Sequence, residues 1–408
     1  MKKTFKYRIY PTSNQQKFLD DTLEECRWLY NHLLDQRKIS YQEVGIGPSR
    51  YDQVNTLPVL KESRPALAFV HSQVLQNVAT RVDLSFQAFF RRVKNGEKPG
   101  YPRFKDQGRY DSFTYPQSGF SFKGGRLSLS GIGAVRILLH RPIEGKLKTC
   151  TVRRTKSGKW FVSFSCDNAP SLAVLPGRKD PVGIDMGLKS FLTTSDGKTE
   201  DNPRFFKKSA KRIAQAQRKL QKQKAGTKEK EKAKRSLARR HEKVVNQRTH
   251  FVYALVNPLV NEFETIVIED LNIKGLVSKK KKATKISSRS LRRSIYDAAW
   301  RGFTTVLSGK AAEAGRTIIR VDPAYTSKTC FRCEHVQHTP LKERVFSCLR
   351  CGFTLDRDWN AALNIELRGL PDEKIRQAAR RSILLGLPFT EALVGPTALG
   401  LGCLAGSA

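Results

Sequence analysis

The sequence predicts an α+β multidomain protein, and three observations predict it. Short runs of alternating polar and apolar residues at 2–10 and across 118–170, the mark of half-buried strands, flank a block at 14–95 whose apolar residues recur every three or four positions. From residue 182 onward, short buried-strand runs alternate with helical stretches, as in an α/β domain. Finally, Cys330/Cys333 and Cys348/Cys351 form CxxC–x14–CxxC, the spacing that offers four thiolates to one tetrahedral zinc ion. The expected organisation is a β-barrel domain at 1–12 and 96–178 with a helical insertion at 13–95. An α/β domain at 179–322 and 354–369 follows, holding a zinc ribbon at 323–353, and then a loosely ordered tail at 370–408.

Residues 2–10, KKTFKYRIY, read as a strand stopped by Pro11. Ser13 with Gln16 three positions on resembles a capping box opening a helix. Within 14–40, Phe18, Leu19, Leu23, Cys26, Leu29, Tyr30 and Leu33 form one apolar face. A second long helix is expected over 68–94, ending at Asn95-Gly96. The following loop, KPGYPRFKDQGRYDSFTYP, interleaves aromatic and basic side chains. Tyr101, Arg103, Phe104 and Lys105 there suit stacking on bases or gripping phosphates. FSFKGG, RLSLSG, AVRILLH, KLKTCTVRRT and KWFVSFSC are then antiparallel strands, and a domain boundary is expected near Asp180-Pro181.

VGIDMGLKSFLTTSDG opens the second domain with a buried strand or hairpin that carries Asp185. Residues 203–250 hold 18 Lys and Arg against three acids. They predict two long basic helices broken near Ala225-Gly226, with a surface suited to nucleic acid. ETIVIEDLN is a buried strand ending at Glu269 and Asp270, SKKKKATKISSRSLRRS a flexible basic linker, and 295–315 a helix leading to the strand TIIRVDP. After the cysteines, DWNAALNIELRG closes the domain as a helix.

The charge balance narrows the function. Against 75 Lys and Arg stand 37 Asp and Glu, a net +38. Such an excess repels itself unless a polyanion neutralises it, which makes nucleic acid the natural partner. No stretch offers about 18 unbroken apolar residues, and MKKTFKYRIY lacks a signal-peptide core, so a cytoplasmic protein without a membrane partner is expected. A cysteine-poor, charged chain of this kind does not look secreted, which weighs against two disulfides in place of the zinc site. The remaining cysteines, Cys26, Cys150, Cys166 and Cys403, are expected to be buried apolar residues.

Three acids stand out by position: Asp185 within an apolar strand, Glu269 at the end of another, and Asp358 at the start of a helix. A carboxylate in an apolar strand costs several kcal/mol unless it is paired or binds a metal. Three that converge can hold two divalent ions roughly 3.5–4 Å apart, suited to phosphodiester hydrolysis. Acids paired with the many arginines are the competing reading.

The motifs GIDMGLKSF, IVIEDLNIKG, TCFRC…SCLRCG and DRDWNAALNI, in this order and spacing, resemble the TnpB family of transposon-encoded, RNA-guided DNA endonucleases, which are similar to compact type V CRISPR effectors. YRIYPTSNQQKFLDDTLEECRWLYNHLL, PGYPRFK and IYDAAWRGF extend the resemblance over nearly the whole chain, the tail excepted. The resemblance implies an RNase H-like (RuvC-type) nuclease domain whose catalytic, Mg²⁺-binding acids fall on Asp185, Glu269 and Asp358. Asp356 competes for the last place, and the D-x-N-A-A pattern selects Asp358. Zn²⁺ would be structural, the β-barrel a wedge domain, and the helical insertion a recognition domain. The implied partners are a guide RNA and a double-stranded DNA target, cut next to a short motif by a monomer with its RNA. Tyr51 and Gln76 sit where relatives contact that motif, and Gln76 and Asn77 have the side chains that pair with adenine in the major groove. Two other readings stand beside this one: an RNA-guided DNA-binding regulator with an idle nuclease site, and a non-guided zinc-ribbon DNA-binding accessory of a transposon.

Overall fold

The computed structural model describes residues 2–168, 176–277, 289–340 and 342–385. The chain divides into two units, Met1–Pro170 with Lys219–Arg239, and Ser171–Arg218 with Arg240–Ala408.

The first unit opens with β1 (Lys3–Tyr10), whose alternate residues Phe5, Tyr7 and Ile9 are buried. α1 (Ser13–Val44) follows. Its capping box is formed by Thr12 and Gln15, one residue earlier than the expected Ser13 and Gln16, with Thr12 in extended backbone just outside the helix. Gly45, at φ +74°, ends the helix in the left-handed conformation that glycine adopts without strain. α2 (Arg50–Asn55), α3 (Leu57–Ser63) and a 3₁₀ turn (Pro65–Phe69) lead to α4 (Ser72–Lys94). The expected helix over 68–94 thus starts four residues later, after an extended Val70.

Six strands complete the unit: β2 (Ser112–Tyr115), β3 (Phe120–Lys123), β4 (Arg126–Leu129), β5 (Gly133–Leu138), β6 (Lys146–Arg154) and β7 (Trp160–Asp167). They form a barrel-like antiparallel sheet in the order β2-β6-β7-β1-β5-β4-β3. β2 lies within the stretch read as loop, and its four residues are held as a strand by pairing with Cys150–Arg153. The N-terminal strand sits mid-sheet between β7 and β5, so residues far apart in sequence close one core. That core is shared with the helices: Leu29 and Leu33 of α1 and Val74 and Val78 of α4 pack in the same cluster as Tyr7, Phe113, Val152 and Phe164. Cys26, Cys150 and Cys166 are buried in it as expected; Cys403 lies outside the described residues.

The second unit begins with β8 (Val182–Asp185), β9 (Ser190–Thr194) and β10 (Thr199–Asp201). The basic helices α5 (Phe205–Gln221) and α6 (Lys228–Glu262) come next along the chain, broken where Gly226 takes φ +81°; their stretch Lys219–Arg239 belongs to the first unit. After them come β11 (Thr265–Glu269), α7 (Ile273–Leu276), α8 (Arg289–Ala298), α9 (Trp300–Glu313) and β12 (Thr317–Val321). The single helix expected over 295–315 is therefore two, divided at Ala299 with φ +57°. Much of the expected basic linker, 278–288, lies outside the described residues, and its end is helical as α8. β13 (Val345–Ser347) and β14 (Thr354–Asp356) form the ribbon hairpin, followed by α10 (Arg357–Arg368) and α11 (Glu373–Leu385). The tail expected to be loosely ordered from 370 thus begins with a helix, because Ala379 and Ile375 pack beside Leu363, Leu367 and Leu370. Residues 386–408 lie outside the described residues.

The second sheet has the order β10-β9-β8-β11-β12. β8, β11 and β12 run parallel, and the hairpin strand β9 is antiparallel to both of its neighbours. Phe191, Val256, Ile268, Phe303 and Leu307 are among the side chains of its main apolar core. No described helix is long and apolar enough to cross a membrane.

Candidate active site

The site is set by strand register. β8 and β11 are parallel, with Ile266 opposite Val182, Val267 opposite Gly183 and Ile268 opposite Ile184. One step further along both strands come Asp185 and Glu269, so the two carboxylates leave the same end of adjacent strands. Strand period places Asp185 on the face of Gly183 and Glu269 on the face of Val267. α10 covers that face. A β-carbon on Gly183 would stand 2.2 Å from the carbonyl oxygen of Ala362 and 2.6 Å from the amide nitrogen of Glu366. A β-carbon on Gly369 would likewise stand 2.5 and 2.7 Å from the methyls of Val267. With the helix seated by these two glycines, Asp358 in its first turn joins the two strand-borne acids.

Asp356 has a different task. Its Oδ1 accepts the amide hydrogens of Asp358 at 2.9 Å and Trp359 at 3.1 Å, so it is the N-cap of α10. The helix is further held by the Trp359 indole, which donates to the Ser195 carbonyl at 2.8 Å.

The electrostatics are those of crowded carboxylates. Burial, and after it the negative charges of Glu269 and Asp358, push the Asp185 carboxyl well above the usual carboxylate range. Glu269, 7 % exposed, is also raised by burial, although its Oε1 accepts the Thr326 hydroxyl at 2.6 Å. Asp358 faces a partner that sequence reasoning missed: the Arg344 guanidinium, 3.8 Å away, from the start of the ribbon hairpin. A divalent cation beside Asp185 would offset the burial and the neighbouring negative charges that raise its proton affinity. The three acids have the chemistry to hold such an ion, but among the described residues their ligand atoms do not gather within the 4.8 Å that the cysteine sulfurs reach.

The four cysteines come together as the spacing predicts. Their sulfurs all lie within 4.8 Å of one another, with Cys330 and Cys351 Sγ at 3.7 Å and Cys333 and Cys348 Sγ at 3.5 Å. Four thiolates about 2.3 Å from one tetrahedral zinc stand about 3.8 Å apart, whereas a disulfide needs about 2.05 Å. The donor set fits zinc, and among the described residues it is the one such cluster with ligand atoms this close.

The two asparagines of the NAALN segment join this centre to the acids. Asn360 accepts the Phe331 amide at 3.0 Å and donates to the Thr329 carbonyl at 2.8 Å. Asn364, one turn on, donates to the carbonyls of Thr326 and Thr329 at 3.0 and 2.7 Å. Both are buried, so the first cysteine turn is fastened to the helix that carries Asp358. The four-residue spacing of Asn360 and Asn364 on a single helix face was the legible signal for this role.

Residues 163–280 match the family described as "Probable transposase", 300–365 a "Cas12f1-like, TNB domain", and 1–45 a "Helix-turn-helix domain". A protein of Streptomyces pristinaespiralis named "Putative RNA-guided DNA endonuclease" is 33% identical over 385 residues, covering 91% of this chain and 90% of the relative. The chain belongs to the TnpB family. The Escherichia coli K12 relative "Putative RNA-guided DNA endonuclease InsQ" is 28% identical, over 90% of this TnpB chain and 92% of its own. A solved structure described as "Cryo-EM structure of the Cas12f1-sgRNA-target DNA complex" aligns with TM-score 0.53 and 16% identity. It covers 90% of this chain and 98% of that one, which shows a shared fold. Where the helix-turn-helix description applies, this TnpB chain has β1 and the single unbroken helix α1.

The nucleic-acid residues expected from the sequence lie in the first unit. Tyr51 of α2 is 69% exposed, with the Arg50 guanidinium 4.6 Å from its ring centre. Gln76 is exposed on α4, whereas the neighbouring Asn77 accepts the Arg81 guanidinium at 3.1 Å and is already engaged. Tyr101 packs edge-on against Phe86 and Phe89, and Arg103 and Phe104 are exposed. Lys105 is pinned by its backbone: its amide donates to Asn31 at 2.7 Å and its carbonyl accepts from Arg27 and Asn31.

Proposed function

We propose that this TnpB-family chain is an RNA-guided DNA endonuclease in which Asp185, Glu269 and Asp358 hold Mg²⁺ and cut phosphodiester bonds. The observation that carries the reading is the convergence of Asp185 and Glu269, from matching ends of parallel strands, on the helix turn bearing Asp358. The central β8, with an antiparallel hairpin partner on one side and parallel β11 on the other, supports an RNase H-like nuclease domain.

In this reading Asp185 and Asp358 would bridge or hold the metals, and Glu269 would complete the second ion's set of ligands. Bound there, two divalent ions would activate a water and stabilise the leaving oxygen. Thr326 fixes the rotamer of Glu269 through its hydroxyl. Asp356 and the glycine contacts fix where α10 begins, and hence where Asp358 points. Arg344 neutralises Asp358 in the metal-free site. The four cysteines take Zn²⁺ as a structural ion. A guide RNA would supply sequence selectivity by base pairing, while the protein grips backbone and reads a short adjacent motif. Exposed Tyr51 and Gln76 are available for that contact, and Arg103, Phe104 and Tyr101 for the RNA.

The test is to express the chain with flanking DNA, sequence the RNA that co-purifies, and challenge the complex with a target library. One abundant RNA with a variable 3′ end, and magnesium-dependent cuts at guide-matched targets, are expected. Guided binding without cuts would leave an idle regulator. A smear of RNA released by moderate salt would leave a non-guided DNA-binding protein.

A further inference from the structure

On a chain carrying a net +38, the cavity between α1, the 3₁₀ turn and the β4–β5 loop has the wrong charge for a phosphate. It measures about 400 Å³. Its floor is apolar, made by Val70, Tyr115 and Ile132. Two phenyl rings flank the mouth, Phe18 at 53% and Phe69 at 81% exposure. Three carboxylates line it, but two are already used: Glu24 pairs with Arg27, and Glu25 accepts both guanidinium nitrogens of Arg64 at 2.6 and 2.8 Å. Asp21 is exposed and has no cationic partner among the described residues.

We propose that this cavity holds one unpaired nucleobase, stacked on Phe18 and Phe69, with Asp21 accepting an amino hydrogen from its Watson–Crick edge. The inference rests on the nucleic-acid reading above and adds a site to it. Exposed aromatic rings are stacking platforms for single-stranded nucleic acid, since every base offers a flat face. A carboxylate selects among bases because it only accepts: it suits the amino group of adenine or cytosine, or the N1–H and amino group of guanine. Uracil and thymine carry no amino group and fit it poorly. Flanking phosphates stay outside, where Lys61, bonded to Ser72 at 3.0 Å beside the pocket residue His71, can meet one. The base comes from RNA or from an unpaired DNA strand, and its sugar tells which.

The test is ultraviolet crosslinking of the purified full-length complex, with its co-purified RNA alone and then with target DNA, and mass mapping of tryptic peptides. Adenine, cytosine or guanine adducts on the peptides carrying Phe18 or Phe69 are expected, ribose-bearing if the RNA fills the pocket and deoxyribose-bearing if DNA does. The double variant Phe18→Ala, Phe69→Ala should lose the adduct and weaken affinity about tenfold or more. Its salt dependence should stay unchanged, because no phosphate contact is lost. Phe18→Tyr with Phe69→Tyr, which keeps the stacking faces, should retain both adduct and affinity. Asp21→Asn should keep the adduct and relax the preference for amino-bearing bases over uracil and thymine. Adducts confined to other segments while RNA stays bound overturn the inference, and so does uracil or thymine at this peptide. If no RNA co-purifies, the functional reading fails first; guided cleavage without an adduct here sinks this site alone.

Discussion

Gly183 of β8 and Ala362 of α10 meet backbone to backbone: a β-carbon on the glycine would sit 2.2 Å from the alanine carbonyl oxygen. This contact sets the distance between the strand bearing Asp185 and the helix bearing Asp358. Gly183→Ala must push the helix off the sheet, at a cost of about 1–3 kcal/mol for an overpacked core. A lower melting temperature is expected, together with a loss of cleavage larger than the loss of guided DNA binding, read on the same preparation. Unchanged cleavage would mean that the helix position does not matter to the acids.

Alanine at Asp185, Glu269 or Asp358 should abolish cutting while leaving guide and target binding largely intact, as read by gel shift. Asp356→Ala should behave differently. It removes a helix cap worth about 1 kcal/mol, so it should lower stability and reduce cutting only in part. Equal loss in Asp356→Ala and Asp358→Ala would reassign the third acid.

Zinc removal should reach the nuclease through the asparagines. Cys348→Ser, or a chelator, loosens the cysteine turns that Asn360 and Asn364 hold, so both melting temperature and cleavage should fall. Asn360→Ala orphans the Phe331 amide, at about 1–3 kcal/mol for a buried group, while the Thr329 carbonyl keeps its bond from Asn364. Normal melting and zinc content in that variant would separate the ribbon from the helix.

Glu366 gives a pH test. Burial pushes its carboxyl up to about 7, partly opposed by the Ser195 hydroxyl. The fold therefore favours the protonated form. Stability is fullest below the unfolded carboxylate range and falls as pH rises from there through about 7, by up to about 3 kcal/mol. Glu366→Gln keeps the shape without the charge. It should stabilise the protein at pH 8 and make little difference at pH 4, as measured by denaturant unfolding.

The sequence by itself pointed to most of the element types, to the four thiols that the fold clusters and to the three acids, because each is a local pattern. Alternation marks a strand, CxxC marks a thiolate pair, and a carboxylate in an apolar run such as GIDMG is costly unless it has a use. It did not reveal that SFTY at 112–115 is a strand, since that depends on β6 arriving from nearly forty residues later. The capping box shifted by one residue and the break at Ala299 are likewise backbone choices made against neighbours. Only the tertiary structure decided that Asp185 and Glu269 share a strand register, that Asp356 caps while Asp358 faces the acids, and that Arg344 meets Asp358. Asp185 and Glu269 stand 84 positions apart in the chain and Arg344 and Asp358 stand 14 apart, and no local period encodes a distance between separate elements. Those relationships follow from which strands pair and how closely two glycines let a helix approach.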